Sequence, residues 1–279
     1  MQVKTEVLRN MIATSTRETE IFQFHNLSEH KNISHFISTR KGGVSLNSFG
    51  GLNISFETND TAENVLKNRS ILARATEIPL ETFVMQNQVH GNSVIKVIAA
   101  DKGKGIFSHK TVIGDCDAMI CNEPGICLFL FAADCVPILF FDPVTKVIGA
   151  AHSGWGGTVK KIAQKTILEM EVNYGCRPEN ILVGIGPSIS VENYEVGENV
   201  IEAVIKAFGT TEKYMTKNPK TGKMHFDMWF TNKKMLTDIG VKEENIEISN
   251  LCTFDKPELF FSARRDEPTG RFGAGIFLK

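Results

Sequence analysis

The sequence has no excess of charge of one sign, and this absence excludes whole classes of partner. Lys plus Arg number 31 and Asp plus Glu number 32, which gives a formal net charge of -1. A chain so balanced offers no electrostatic footprint for nucleic acid or for an anionic membrane surface. We therefore expect a small-molecule partner, with no nucleic acid and no membrane. The sequence carries no indication of an oligomeric state.

Cys-x-x-Cys pairs, long apolar runs and a signal-peptide pattern are also absent. The six cysteines, at positions 116, 121, 127, 135, 176 and 252, predict neither a zinc ribbon nor a thioredoxin-like motif. No apolar segment approaches the roughly 20 residues that cross a bilayer, and the first residues lack a basic-then-apolar leader. We expect a cytoplasmic protein with free thiols, because that compartment is reducing.

What the sequence does have is a central stretch with two continuous apolar runs, 126–133 and 146–151. Runs of this length predict strands that are buried on both faces. Cys135 closely follows the first run, behind Asp134, and His152 ends the second. Since open α/β sheets place their ligands at strand ends, Cys135 and His152 are candidate functional residues.

Several segments could bind an anion. A helix is predicted to begin after His152, and its free N–H groups make the region near Gly157 a candidate phosphate site. Arg40, followed by Lys41 and two glycines, joins a guanidinium to exposed backbone N–H groups, and a hairpin turn with solvated charges is the alternative. Near the end of the chain, Arg264, Arg265 and Arg271 surround a turn, where they either bind an anion or brace the turn.

Three residues also have the chemistry of a metal site. His90, Cys135 and His152 each lie at the end or edge of an apolar strand. Two imidazoles and a thiolate with an open fourth position are a common way to hold catalytic zinc. Copper is possible at the same ligands, because imidazole and thiolate also suit that metal. The alternative is a buried thiol with two hydrogen-bonded histidines.

The order of predicted strands and helices indicates one α/β domain over residues 1–279. No internal repeat, low-complexity tract or linker interrupts it. Residues 1–30 are predicted to form a peripheral N-terminal segment of short strands or helix that carries no chemistry.

Taken together, several segments resemble the laccase-domain family, formerly called multicopper polyphenol oxidases. They occur in family order: Thr-Arg-Lys-Gly-Gly-Val-Ser at 39–45, Gln-Val-His-Gly at 88–91, Ala-Asp-Cys-Val-Pro at 133–137, Ala-His-Ser-Gly-Trp at 151–155, Gly-Ile-Gly-Pro at 184–187, Phe-Ser-Ala-Arg-Arg at 261–265 and Thr-Gly-Arg at 269–271. The resemblance implies a four-layer α/β/β/α fold with mixed sheets. It also implies a zinc site made by His90, Cys135 and His152.

The activity implied by the resemblance is phosphorolysis of adenosine, inosine, guanosine and methylthioadenosine, with adenosine deamination as a second activity. Zinc would lower the pKa of its water toward about 7, and Asp134, next to the cysteine ligand, is predicted to orient that water or the ligand shell. The residues predicted to bind substrate or phosphate are Arg40, Asn53, Gly157 and Arg265.

Two positions depart from the family pattern. Gly156 stands where the family usually carries Arg after Trp155, and Gly51-Leu52-Asn53 replaces Ser-Leu-Asn. Because a planar cation beside the metal is missing, we expect slow phosphorolysis or a phosphate held by Arg40.

Other functions remain open from the sequence alone. A metal-free hydrolase would use Cys135 as nucleophile and His152 as its base. A polyphenol oxidase with a single copper and a non-enzymatic regulator that kept the fold are further alternatives. A trinuclear copper cluster is not expected, because the seven histidines include no His-x-His pair.

Overall fold

The structure is a computed structural model that describes residues 4–8 and 11–279, with side chains from residue 11 onward. The strands are β1 (Lys4–Leu8), β2 (Met11–Ser15), β3 (Glu20–Gln23), β4 (Ile33–Ser38), β5 (Phe83–Val84), β6 (Val94–Lys96), β7 (Ala118–Cys121), β8 (Ile126–Ala132), β9 (Val136–Asp142), β10 (Val147–Ser153), β11 (Leu182–Ile185), β12 (Met215–Lys217), β13 (Met224–Phe226), β14 (Ile246–Ile248) and β15 (Phe272–Leu278). The α-helices are α1 (His25–Ser28), α2 (Ala62–Thr76), α3 (Trp155–Val159), α4 (Ile162–Tyr174), α5 (Glu198–Phe208) and α6 (Met228–Asp238).

The strands form two large mixed sheets and a small ribbon. A seven-stranded sheet has the order β1-β2-β3-β4-β15-β8-β5, and a six-stranded sheet has the order β14-β11-β9-β10-β7-β6. Strands β12 and β13 pair separately. Most neighbours are antiparallel, but β5–β8, β6–β7 and β11–β14 are parallel. Both sheets are therefore mixed, as the family resemblance implies.

Alternation along the buried strands divides the core into three parts. In β8, Leu128 and Leu130 belong to the core between the two sheets, whereas Phe129 faces the opposite side together with Ile71 and Leu72 of α2. Successive side chains of a strand point to opposite faces, so a strand buried on both faces must be apolar throughout. This explains why every residue of β8, β9 and β10 is buried.

The helices lie on the two outer faces. Ile167 and Met170 of α4 pack under the six-stranded sheet, against Phe140 of β9 and in the same cluster as Met228 of α6. With α2 on the far side of the seven-stranded sheet, the order of layers is helix, sheet, sheet, helix. The predicted four-layer α/β/β/α fold is confirmed.

The N-terminal segment is more than peripheral, in contrast to the prediction for residues 1–30. Strands β1, β2 and β3 extend the seven-stranded sheet. Phe22, Phe24 and Leu27 are buried in the core between the sheets. The prediction was wrong for these residues because their apolar side chains complete that core, although the segment carries no group of the site described below.

Strand register gathers the predicted site at one end of the six-stranded sheet. His152 of β10 lies opposite Pro137 of β9, two residues after Cys135. On its other side, Ala151 lies opposite Ala118 of β7. The turn with His90 leads into β6, which pairs with β7 from Val94 onward. In the described part of the chain, no helix is both long and apolar enough to span a bilayer.

Candidate metal centre

His90, Cys135 and His152 converge at this end of the sheet. Their potential ligand atoms all lie within 4.8 Å of one another. The two imidazole rings have centroids 4.9 Å apart and planes inclined by 70°. His152 is buried, Cys135 is half-buried and His90 is exposed, so the cluster opens to solvent on the His90 side. The structure thus brings together the three side chains that the sequence singled out.

Two residues of the centre have an unusual backbone conformation. His90 has φ 55° and Asp134, directly before Cys135, has φ 85°. A non-glycine residue in this region costs about 1–3 kcal/mol, and such strain concentrates at functional sites. The turns that present His90 and Cys135 are therefore held in place by their surroundings.

Asp117 supplies much of that support. Its buried carboxylate accepts hydrogen bonds from the backbone N–H groups of Val89 (3.3 Å), His90 (3.1 Å) and Gly91 (2.6 Å). It also accepts a hydrogen bond from Nδ1 of His152 at 2.8 Å. Since Nδ1 donates to the carboxylate, Nε2 is the nitrogen left for a metal, which is the usual arrangement of a metal-binding histidine.

Asp117 was not among the candidate residues predicted from the sequence. Its position directly before β7 was the available signal, because the neighbours of β7 are the strands that carry or follow the two histidines. Burial raises the pKa of the Asp117 carboxyl, but hydrogen bonds from His152 and from the backbone at 90–91 outweigh that effect and lower it. Asp117 is therefore an anion that holds both histidines.

The Cys135 thiol is ionised in this environment. Burial raises its pKa, but the charge of His152 and hydrogen bonds from His152 and His90 outweigh burial and lower the pKa to about 6. Burial lowers the pKa of His152, yet the Cys135 thiolate and the Asp117 carboxylate raise it to about 9. At neutral pH the pair is a thiolate facing an imidazolium. The thiolate is the form that binds metals.

The donor set fits zinc. Zinc lies about 2.3 Å from a thiolate and about 2.0–2.1 Å from imidazole nitrogen, and three protein ligands leave one position open. The backbone of Gly154 lies directly against the centre, since a Cβ added there would be 2.8 Å from both Cys135 Sγ and His90 Nδ1. Only glycine leaves room for the three side chains to meet.

Comparisons with known proteins identify the family of the chain. Residues 34–279 match the family described as multi-copper polyphenol oxidoreductase laccase. The chain belongs to this family. A purine nucleoside phosphorylase of Bacteroides thetaiotaomicron is 35% identical over 265 residues, which are 94% of this chain and 98% of that protein. Adenosine deaminase RL5, from an unknown prokaryotic organism, is 32% identical over 250 residues, or 89% of this chain and 95% of that protein.

A solved relative has the same fold. The crystal structure of YlmD from Geobacillus stearothermophilus superposes with a TM-score of 0.87 at 30% sequence identity, covering 98% of each chain. The family description mentions several coppers. Within the described residues, however, His90, Cys135 and His152 are the single group of three or more His, Cys, Asp or Glu side chains with the spacing to hold a metal. The described residues therefore offer one candidate site for a metal ion.

The Asp134 carboxylate is hydrogen-bonded to segments near the end of the chain. It accepts hydrogen bonds from the Thr253 hydroxyl (2.5 Å), the Ser262 hydroxyl (3.0 Å) and the backbone N–H of Arg264 (2.7 Å). Both oxygens are therefore occupied by the segments at 253 and 262–264. Asp134 thus braces the loop beside Cys135, and its role in orienting a water or the ligand shell stays a prediction.

Arg265 braces the terminal turn, and its role in substrate binding stays a prediction. Its guanidinium donates to the Asp266 carboxylate (2.9 Å) and to the carbonyls of Thr253 (2.7 Å), Phe254 (2.8 Å) and Phe260 (2.9 Å). The bracing alternative for the terminal turn is the one that the structure shows.

Asn53 and Gly157 are buried in packing roles rather than open to substrate. The Asn53 amide donates to Thr58 and Asp60, both at 3.0 Å, and accepts a hydrogen bond from the N–H of Arg271 at 2.9 Å. Gly157 lies in the five-residue helix α3, where an added Cβ would come within 3.3 Å of the Gly91 carbonyl oxygen. Arg271 and Gly91 are remote from Asn53 and Gly157 in sequence, so no local pattern indicates these two contacts.

Arg40 lies in a surface cleft of its own. Its guanidinium donates to the carbonyls of Pro257 and Gly50, both at 3.2 Å, and stacks over the ring of Phe261 at 4.5 Å. The cleft is also lined by Arg265, but by none of the three candidate ligands. Arg40 is half-buried and available to an anion at the edge of the cleft.

Arg271 is a cation that sequence analysis placed only in the terminal turn. It directly precedes β15, whose first residue Phe272 pairs with Ala132 at the end of β8, so Arg271 lies across from the turn with Cys135. Burial lowers the pKa of Arg271, and the negative charge of Cys135 and of nearby carboxylates opposes this effect. Arg271 therefore contributes positive potential near the thiolate.

Proposed function

We propose that this chain is a zinc-dependent purine nucleoside phosphorylase with adenosine deaminase as a second activity. The observation that carries the proposal is the convergence of His90, Cys135 and His152, with an ionised thiol and one open side. Two relatives that align over most of the chain support it, one named purine nucleoside phosphorylase and the other adenosine deaminase. The substrates proposed are adenosine, inosine, guanosine and methylthioadenosine with phosphate, and copper is the alternative metal.

The residues of the chain have distinct tasks in this proposal. Zinc, when bound, supplies Lewis acidity and lowers the pKa of water toward about 7. Cys135 and the two histidines would hold that ion, and Asp117 fixes the tautomer of His152 by accepting a hydrogen bond from its Nδ1. Phosphate requires positive potential, for which Arg40 is the proposed residue. Since Gly156 supplies no side chain next to the centre, we expect slow phosphorolysis.

The test compares the parent protein with Cys135→Ser and with Cys176→Ser as a matched control. Cys176 is buried away from the centre, and its thiol lies 3.1 Å from the Thr145 hydroxyl. A serine at position 176 can keep this hydrogen bond. We expect the parent to bind one zinc per chain and to convert inosine and phosphate to hypoxanthine and ribose 1-phosphate. Cys135→Ser should lose the metal and at least about 100-fold in rate, since it removes a direct ligand. Parent protein that carries zinc but forms neither base nor inosine from any nucleoside would contradict the proposal.

A metal-free hydrolase is a second candidate, and one observation favours it. Cys135, His152 and Asp117 form a nucleophile, a base and an orienting carboxylate, the same order of roles as in a catalytic triad. Chelation separates the candidates. Full activity after complete removal of zinc, abolished by thiol alkylation, supports the hydrolase, whereas activity that returns only with added zinc supports the phosphorylase.

We also propose a cytoplasmic location. All six cysteines are free thiols and five of them are buried. Free thiols suit a reducing compartment.

A further inference from the structure

We propose that Lys160 is a positioning residue that holds the His90 ligand in the geometry required for metal binding. The inference rests on the metal centre proposed above and goes beyond it, because Lys160 belongs to neither the ligands nor the substrate residues. It concerns the turn 89–92, whose backbone must be kept in an unfavourable conformation for the imidazole to reach Cys135 and His152.

The backbone N–H groups of this turn are held by hydrogen bonds to Asp117. His90 has φ 55°, so the peptide groups on either side of it need partners that favour this conformation. Asp117 takes the N–H groups of residues 89, 90 and 91. That carboxylate fixes one face of the turn and leaves the carbonyl of His90 pointing to the other side.

Lys160 holds the carbonyl group of the same turn. Its Nζ donates a hydrogen bond of 2.9 Å to the carbonyl oxygen of His90. In return, the side chain of Asn92 donates a hydrogen bond of 2.9 Å to the carbonyl oxygen of Lys160. The turn and the end of α3 are thus joined by two hydrogen bonds that run in opposite directions.

Gly156 allows the two segments to come this close. An added Cβ at Gly156 would lie 3.2 Å from the carbonyl oxygen of His90, so the helix backbone rests against the same atom that Lys160 contacts. The N–H of Lys160 donates to the carbonyl of Gly156. Gly156, which has no side chain, therefore leaves room for the hydrogen bond between Lys160 and the carbonyl of His90.

The contact is specific to Lys160 rather than general to surface lysines. Among the described residues, Lys160 has no carboxylate partner within salt-bridge distance, and its ammonium is directed to the carbonyl of His90. A hydrogen bond from a charged donor is about twice as strong as a neutral one. The neighbouring Lys161 instead lies over the ring of Phe208, at 5.8 Å.

The decisive experiment compares zinc affinities of the parent, Lys160→Met, Lys160→Arg and the matched control Lys161→Met. Methionine keeps an unbranched side chain about as long as the apolar part of lysine, but it cannot donate a hydrogen bond. Groups that orient a ligand typically change metal affinity by 10- to 100-fold when they are lost, so we expect the zinc Kd of Lys160→Met to rise about 10-fold. Lys161→Met should stay within about 2-fold of the parent, and Lys160→Arg should recover part of the loss.

The sign of the effect separates positioning from simple electrostatics. Removing a positive charge near a cation site strengthens cation binding by Coulomb's law, so a weaker site cannot be explained by charge alone. The thiolate-to-metal absorption band of the cobalt-substituted protein gives a second readout, and it should shift in Lys160→Met only. Equal melting temperatures of the metal-free proteins would exclude a general loss of stability.

Two results would overturn the inference. Lys160→Met that binds zinc as tightly as the parent, or Lys160→Met and Lys161→Met that are weakened equally, would show that Lys160 does not position His90. A parent protein that binds no zinc would overturn the metal centre together with this inference, so the two failures are distinguishable.

Discussion

At the scale of single residues, the centre depends on a carboxylate that is not one of the three candidate ligands. Asp117 links the backbone of one histidine to the ring of the other, so its charge and geometry affect two of the three candidate ligands at once. Loss of such a partner leaves the ligands present but free to rotate, which weakens metal binding without removing a donor.

Asp117→Asn tests this role. Asparagine keeps the size of the side chain but loses the negative charge and one acceptor, so we expect zinc affinity to fall about 10- to 100-fold. Asp115→Asn is the control, because Asp115 is exposed and, among the described residues, its carboxylate bonds only to the Asn87 side chain, at 2.9 Å. Competition with a chromophoric chelator measures both variants. Equal affinities for Asp117→Asn and the parent would rule out the role assigned to Asp117.

At the scale of elements, the sequence predicted the strands better than the side-chain partners. The apolar runs before Cys135 and before His152 became β8 and β10, because burial on both faces leaves a readable pattern in the sequence. The partners of Asp134 were not predicted, because Thr253 and Ser262 are distant from it in sequence, whereas the bracing role of Arg265, whose partners lie within 12 residues, was one of two alternatives. Periodicity reports burial, but it does not report the partner of a polar group.

Two helix starts offer a controlled test of close packing at the centre. Gly154 before α3 (φ -72°, ψ 177°) and Gly197 before α5 (φ -86°, ψ 176°) have nearly the same backbone conformation, which alanine can adopt. A Cβ at Gly154 would lie 2.8 Å from Cys135 Sγ, whereas at Gly197 it would meet only the flexible side chain of Asn199, at 3.1 Å. We expect the zinc affinity of Gly154→Ala to fall at least about 10-fold and that of Gly197→Ala to stay unchanged. Zinc content after dialysis is the measurement, and retained zinc in Gly154→Ala would contradict the packing described.

At the scale of the whole molecule, strands from both ends of the chain lie in one sheet. Strands β2 and β3 near the start and β15 near the end belong to the same seven-stranded sheet and cover the same core. From this we infer that the chain unfolds as one domain. A buried titratable group in that sheet then affects the stability of the whole molecule, and His35 of β4 is such a group.

His35 should make the fold less stable in mild acid. Burial lowers its pKa to about 3, and its Nε2 accepts a hydrogen bond of 2.8 Å from the N–H of Phe24. The unfolded chain binds a proton at pKa about 6.5. Between these pH values the unfolded state binds more protons than the folded state. The contribution of neutral His35 to the free energy of unfolding is therefore fully present above about pH 6.5 and is lost as pH falls toward 3.

Urea denaturation at several pH values between 7 and 4 measures this effect. In the parent, His35 adds up to about 1.4 kcal/mol per pH unit to the slope of the unfolding free energy. His35→Gln keeps an acceptor for Phe24 but does not titrate, so its slope should be smaller by that amount. Identical slopes for the two proteins would show that His35 is not neutral in the folded state.

The position of β15 in the seven-stranded sheet also has a consequence for biosynthesis. It lies between β4 and β8, although it follows both in the chain. During translation, the ribosome releases β4 and β8 long before the strand that joins them has been made. The nascent polypeptide therefore has two apolar strands with unpaired edges, which are prone to aggregation, until residues 272–278 leave the exit tunnel. We expect chaperones to bind ribosome-tethered chains that stop before residue 272.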